Sequence, residues 1–178
     1  MENNIGEVML DPKTIQAKVI EMGALLDSDY QGKRPLVICV LKGALMFVAD
    51  LTRSMKIPLE VDFIAVSSYG ASTQSSGVVR ILKDLEAGIE GRHVLIVEDI
   101  IDTGLTLNYL RENLLSRKPA SLKICTLLDK PSRRQVDIKP DYCGFEIPDK
   151  FVVGYGLDFA EIYRNLPFIG VLKPEAYQ

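Results

Sequence analysis

Apolar residues recur along the first part of the chain with two different periods. Ile15, Val19, Met22 and Leu26 share one helical face. Asp11-Pro12 just upstream supplies an N-cap acceptor and a proline for the first turn, so the spacing predicts a helix over 12–28. Gly32 and Pro35 end that region, and PLVICVL (35–41) is continuously apolar, the pattern of a strand covered on both faces. Lys42-Gly43 interrupts it before ALMFVADLTRSM (44–55), which reads as a helix.

LEVDFIAV (59–66) and VVRIL (78–82) read as strands flanking the polar segment SSYGASTQSSG (67–77). Gly88 and Gly91 mark a turn before the strand HVLIVED (93–99), and LTLNYLRENLLSRK (105–118) is helical. SLKICTLLDK (121–130) begins with a strand over 122–128, and DYCGFEI (141–147) and KFVVGYG (150–156) are shorter pieces before a tail carrying Pro167 and Pro174. Alternating strand and helix predicts an α/β fold with a parallel sheet and right-handed crossovers, as a single domain over 1–178.

Composition narrows the classes. At 178 residues, 47% hydrophobic and 25% charged, the chain can bury one proper core. No apolar run approaches the ~20 residues that a membrane span needs, so no membrane partner is expected. The opening MENNIGEVML has neither a basic flank nor an apolar secretory core, which points to the cytoplasm. A net charge of -3 gives no support for nucleic-acid binding. Cys39, Cys125 and Cys143 lack CxxC spacing and lie in apolar segments, so buried reduced thiols are expected. His93 is the single histidine, which excludes a zinc site needing two; a metal here would sit on carboxylate oxygens, as magnesium or manganese does.

The chemistry collects where strands end. Ligands of open α/β sheets bind beyond the carboxyl ends of the strands. Lys42-Gly43, the stretch Glu98 to Thr106, and Lys130 all follow predicted strands. In Asp102-Thr103-Gly104-Leu105-Thr106, Gly104 admits close backbone approach, and the helix-starting amides with the Thr103 and Thr106 hydroxyls suit one phosphate. A plain capping role for Asp102 or Thr103 fits that segment alone equally well. Glu98 and Asp99 beside such a cradle would repel a phosphate unless a cation or sugar hydroxyls intervened. A phosphoribosyl ligand satisfies both halves, with its diol on the acids and its 5′-phosphate on the amides.

VEDIIDTGLTL (97–107) resembles the phosphoribosyl-pyrophosphate motif of the phosphoribosyltransferases. With LKGALMF (41–47), SSYG (67–70), LLDKPSRR (127–134), FVVGYGLD (151–158), YRNLP (163–167) and IGVLKPEAY (169–177), nearly the whole chain resembles the bacterial hypoxanthine-guanine branch of that family. Leu105 and Ala44 depart from it, standing where other members carry a basic residue and a glycine. The resemblance implies a type I phosphoribosyltransferase fold: a central, mostly parallel sheet flanked by helices, a small hood and a flexible lid loop. It also implies transfer of a 5-phosphoribosyl group from phosphoribosyl pyrophosphate to hypoxanthine or guanine, with magnesium, in a homo-oligomer (dimer or tetramer).

Residue by residue, the resemblance makes Asp102 the catalytic proton acceptor at purine N7. Lys130 donates to O6, Phe151 stacks on the base and the Val152 backbone reads its edge. Glu98 and Asp99 face ribose and magnesium, Asp158 completes a second magnesium site, and Arg164 grips pyrophosphate. Thr103, Gly104, Leu105 and Thr106 form the phosphate loop. Lys42 and Gly43 offer amides to pyrophosphate in a loop that often holds a non-proline cis peptide, and Ser68-Tyr69 opens the lid. An ammonium is donor-only, so Lys130 suits a 6-oxo group and disfavours adenine. An RNA-binding regulator of pyrimidine operons shares the 97–107 motif but not the set of Lys130, Phe151 and Asp158. From other classes, an aspartyl phosphohydrolase would release phosphate without needing a purine, and a nucleotide-binding module would keep its binding without Asp102.

Overall fold

A computed structural model describes residues 2–68 and 79–177 of the chain. Among the described residues nine strands run in chain order: β1 (Ile5–Leu10), β2 (Leu36–Leu41), β3 (Glu60–Ser68), β4 (Val79–Lys83), β5 (His93–Ile101), β6 (Ser121–Asp129), β7 (Tyr142–Glu146), β8 (Val152–Val153) and β9 (Ile169–Leu172). Three helices accompany them: α1 (Pro12–Asp29), α2 (Leu45–Ser54) and α3 (Leu105–Leu115). Six strands form the main sheet in the order β4-β3-β2-β5-β6-β7. All its pairings are parallel except β3 with β4 at one edge.

The alternation of side chains across a strand explains the layering. Val37 and Cys39 of β2 join Leu95 and Val97 of β5 on one face, where α1 and α2 cover them with Ile15, Val19, Leu26, Phe47 and Leu51. Leu36, Ile38 and Val40 point the other way, with Val94, Ile96 and Ile124, against Leu107, Leu110 and Leu114 of α3. Strands covered on both faces need no polar alternation, which is why 35–41 reads as an unbroken apolar run. Truncating one of these fully buried leucines costs about 2–5 kcal/mol.

Asp11 caps α1 by accepting the Thr14 N–H at 2.7 Å, as its position predicts. The third helix stops at Leu115, short of the expected 118, because Lys118 turns left-handed (φ 58°) and the Arg117 and Lys118 amides close tight turns. A second sheet, β1-β9-β8, is antiparallel and stands apart from the first. It forms the hood, and it joins the two ends of the described chain. The Ser68 backbone ends β3, whereas Tyr69 and nearly all of the expected lid lie outside the described residues.

Candidate active site at the carboxyl edge of the sheet

Neighbouring β2 and β5 send their chains to opposite faces, β2 into α2 and β5 into α3. Their carboxyl ends therefore open a crevice at a topological switch point, where such sheets place ligands. The peptide bond between Leu41 and Lys42 is cis at this edge. Gly43 faces Asp99 so closely that a Cβ on it would lie 1.8 Å from Asp99 Oδ2. On its other side the Gly43 carbonyl packs against Gly156 (φ 99°), where a Cβ would come within 2.1 Å of that oxygen.

Arg164 ties the hood to this crevice. Its Nη1 donates to the Gly156 carbonyl at 2.7 Å and its Nη2 lies 3.0 Å from Asp158 Oδ1, while its buried Nε has no partner among the described residues. Glu161 N–H donates to Asp158 Oδ2 at 2.9 Å, and Lys42 Nζ reaches Glu161 Oε2 at 2.9 Å. Lys42, Gly43, Asp99, Asp158 and Arg164, distant in sequence, thus meet at one end of the crevice.

Glu98 is buried, with 9% of its surface exposed. Burial, and then the charge of Asp99 beside it, pushes its carboxyl well above the usual carboxylate range. Burial raises Asp99 too, against the opposing effects of the Ile100 amide, donated at 2.8 Å, and the Arg164 guanidinium. The pair is short of positive charge, which a divalent cation would supply. Among the described residues no three His, Cys, Asp or Glu side chains converge, so a cage of protein ligands is absent. One or two carboxylates completed by substrate oxygens and water is the mode that suits magnesium, and the residues fit that ion.

Beyond the acid pair, a cavity of about 150 Å³ is lined by Glu98, Ile100, Asp102, Thr103, Gly104 and Thr106, among others. Gly104 begins α3 in the left-handed region (φ 83°), and a Cβ there would meet Ile138 Cγ2 at 2.6 Å. Leu105 N–H reaches Thr103 Oγ1 only at 3.4 Å, and the amides of Gly104, Thr106 and Leu107 find no acceptor among the described residues. These are orphan donors at a positive helix end, the arrangement an anion fills. The two isoleucines of this stretch differ in burial. Only Ile101 is buried; Ile100 is half-buried and lines the cavity.

Lys130 directly follows β6, whose last residue Asp129 pairs with Ile101. It is 7% exposed, its amide donates to the Ile101 carbonyl at 2.9 Å, and its Nζ makes no hydrogen bond among the described residues. The nearest anion is Asp149, 3.7 Å away. Pro131 starts a short 3-10 turn that folds Arg133 and Arg134 back over Asp102. Arg133 Nε donates to Asp102 Oδ1 at 3.0 Å, and Arg134 Nη1 donates to the Asp102 carbonyl at 2.7 Å while its Nη2 pairs with Asp129.

Phe151 is 39% exposed, so it is an available ring and not a core aromatic. Tyr177 stacks on it with centroids 5.0 Å apart, and Phe159 meets its edge at 5.6 Å. Val152 pairs with Val171 in the hood. The sequence reading missed Ile100, Arg133, Asp149, Phe159 and Tyr177 as residues of this region. The paired arginines after Lys130 were a visible signal; the aromatic contacts join positions with no local relation.

One expectation about the thiols fails. Cys39 and Cys125 are buried and free, but Cys143 is exposed, because it sits on β7 at the sheet edge, where one face has no cover. Among the described residues no helix is long and apolar enough to cross a membrane.

The phosphoribosyl transferase domain model matches residues 9–160. A hypoxanthine-guanine phosphoribosyltransferase from Bacillus subtilis is 60% identical over 178 residues, covering 100% of this chain and 99% of that protein. A crystal structure of a hypoxanthine phosphoribosyltransferase from Staphylococcus aureus superposes with a TM-score of 0.97 at 53% identity, over 100% of this chain and 97% of that one. The Trypanosoma cruzi hypoxanthine phosphoribosyltransferase in a ternary substrates complex gives a TM-score of 0.93 at 44% identity, over 99% and 100% of the two chains.

Proposed function

The chain belongs to the phosphoribosyl transferase family, and from that premise we propose how its residues perform purine salvage. It is an enzyme that moves the 5-phosphoribosyl group from phosphoribosyl pyrophosphate to hypoxanthine or guanine, yielding IMP or GMP and pyrophosphate. The observation that carries the base-reading part is Lys130, a buried ammonium with no hydrogen bond among the described residues, joined to the Asp102 carboxylate only through Asp149 and Arg133.

Asp102 accepts the N7 proton as purine N9 attacks C1′. The C1′–O bond breaks with its electron pair leaving on pyrophosphate, and the carboxylate also favours the cationic sugar in between. Lys130 donates to O6, Phe151 offers its exposed ring to the base and Val152 presents its backbone to the base edge. The amides from Thr103 to Thr106, Leu105 included, hold the 5′-phosphate, which suits the Gly104 and Thr106 amides that have no acceptor among the described residues and the long 3.4 Å contact of Leu105. Lys42, Gly43 and Arg164 take the pyrophosphate, for which a planar guanidinium is well shaped. Glu98 and Asp99 would hold one magnesium ion and Asp158 a second, and the chemistry magnesium supplies when bound is neutralisation of pyrophosphate charge. Ser68 and Tyr69 open a lid that keeps water from the sugar.

The same reading takes residues 1–178 as a single domain working in the cytoplasm, a reducing setting suited to three free thiols. It also takes the enzyme as a homo-oligomer, dimer or tetramer, which the exposed Ile20, Leu25, Leu45 and Met46 of α1 and α2 would suit. Nucleic acid and membrane are not among its partners. The test is incubation with magnesium, phosphoribosyl pyrophosphate and, separately, hypoxanthine, guanine, xanthine, adenine and uracil, with nucleotides separated by chromatography. IMP or GMP is expected, with no product from adenine or uracil; absence of any 6-oxopurine nucleotide overturns the reading.

A further inference from the structure

We propose that Arg133 and Asp149 form an exchange pair: they hold the two base-reading groups in the empty site and close on each other when the purine arrives. The proposal rests on the reading above, in which Asp102 meets N7 and Lys130 meets O6. Four charges of alternating sign stand in a row. Asp102 Oδ1 lies 3.0 Å from Arg133 Nε, Arg133 Nη1 lies 3.7 Å from Asp149 Oδ2, and Asp149 Oδ1 lies 3.7 Å from Lys130 Nζ. The two ends of the row are the groups that read the base, and the two middle members have no other charged partner among the described residues.

A purine supplies an N–H for Asp102 and a carbonyl for Lys130, so both ends of the row are taken by the ligand. The middle pair is then left with opposite charges already side by side, and no buried charge is orphaned by binding. The contacts to be broken are weak by construction. Arg133, Asp102 and Asp149 side chains are 45%, 43% and 54% exposed, and such pairs change an equilibrium constant by about fivefold at most. They can orient Asp102 and Lys130 without outcompeting a base that offers direct hydrogen bonds. Arg133 and Asp149 are therefore positioning residues, and neither needs to touch the reacting atoms.

An exchange makes a prediction that an idle surface ion pair does not. Asp149→Asn leaves Arg133 with Asp102 as its one anion, so the guanidinium competes with the purine N7–H. Arg133→Met leaves Asp149 with Lys130 as its one cation, so the carboxylate competes with O6. Steady-state kinetics should show each single variant raising KM for hypoxanthine about three- to fivefold, with kcat moving less and KM for phosphoribosyl pyrophosphate as the internal control. The double variant carries neither competitor, so its KM for hypoxanthine should return to within about twofold of the parent. Arg133→Lys, which keeps a cation, should lie closer to the parent than Arg133→Met. Additive losses in the double variant, or singles that leave KM unmoved, overturn the exchange. A parent enzyme that forms no purine nucleotide overturns the functional reading itself, an outcome distinct from either.

Discussion

Gly43 and Asp99 touch across the seam between two parallel strands with no space for a methyl group between them. Alanine at position 43 has to rotate the Asp99 carboxylate away, since a Cβ would stand 1.8 Å from its Oδ2. We expect Gly43→Ala to lower kcat/KM for phosphoribosyl pyrophosphate by about 100-fold, the scale of a misplaced catalytic group. The melting temperature should move little. Activity within threefold of the parent would show that the position of Asp99 is immaterial.

Gly104 is constrained twice, by its left-handed backbone and by Ile138 Cγ2 standing 2.6 Å from where a Cβ would go. Strain at such a position is on the order of 1–3 kcal/mol. Gly104→Ala should therefore lower unfolding free energy by about 2–3 kcal/mol in urea titration, and also weaken the donor's 5′-phosphate. An unchanged midpoint contradicts the packing of residues 134–138 on the start of α3.

Removing the Lys130 ammonium tests base selection. A site that hydrogen-bonds one analogue rejects another by up to about 10⁴-fold or more. Lys130→Met should collapse most of the preference for hypoxanthine over adenine, measured as the ratio of the two kcat/KM values. An unchanged ratio refutes the specificity argument.

Asp102→Asn separates proton transfer from binding. Loss of a general base typically lowers turnover about 10²–10⁴-fold. The dissociation constant of phosphoribosyl pyrophosphate, read by calorimetry, should stay within a few-fold. Equal losses in both would make Asp102 a binding residue alone.

Among the described residues, three tyrosine hydroxyls are held against ionisation. Burial pushes the Tyr30, Tyr142 and Tyr155 hydroxyls up. Tyr142 also donates to Asp29 at 2.6 Å and Tyr155 to Asp50 at 2.6 Å. Their folded values lie above the unfolded value of about 10. The stability they contribute is fully present below that pH and is lost as pH rises through the raised values. Each should steepen the alkaline decline by about 1.4 kcal/mol per pH unit. Denaturation curves above pH ~10 should be shallower by one such increment for Tyr142→Phe, and an identical slope refutes its part.

Much of the main sheet was legible because its central strands are buried on both faces and its helices carry one apolar stripe. PLVICVL and HVLIVED became β2 and β5 within two residues at each end. The hood was not legible in the same way. Its β1 and β9 pair across nearly the whole chain, Ile5 with Leu172, and neither segment carries a strong local period. The crevice residues Lys42, Gly43, Glu98, Asp99, Asp102 and Lys130 were found because each directly follows or ends a strand. Arg133 and Asp149 were missed because their importance lies in a charge row that a 3-10 turn assembles, and Cys143 was misplaced because β7 is a sheet edge.

The strand order sets the two kinds of recognition apart. On the proposed reading the ribose and pyrophosphate groups straddle the join of β2 and β5, Asp102 follows β5, and the O6-reading Lys130 follows β6 further towards the edge of the sheet. Acceptor choice can therefore be altered by substitution at Lys130, near the outer edge of the sheet, with the phosphate loop of residues 103–106 left as it stands.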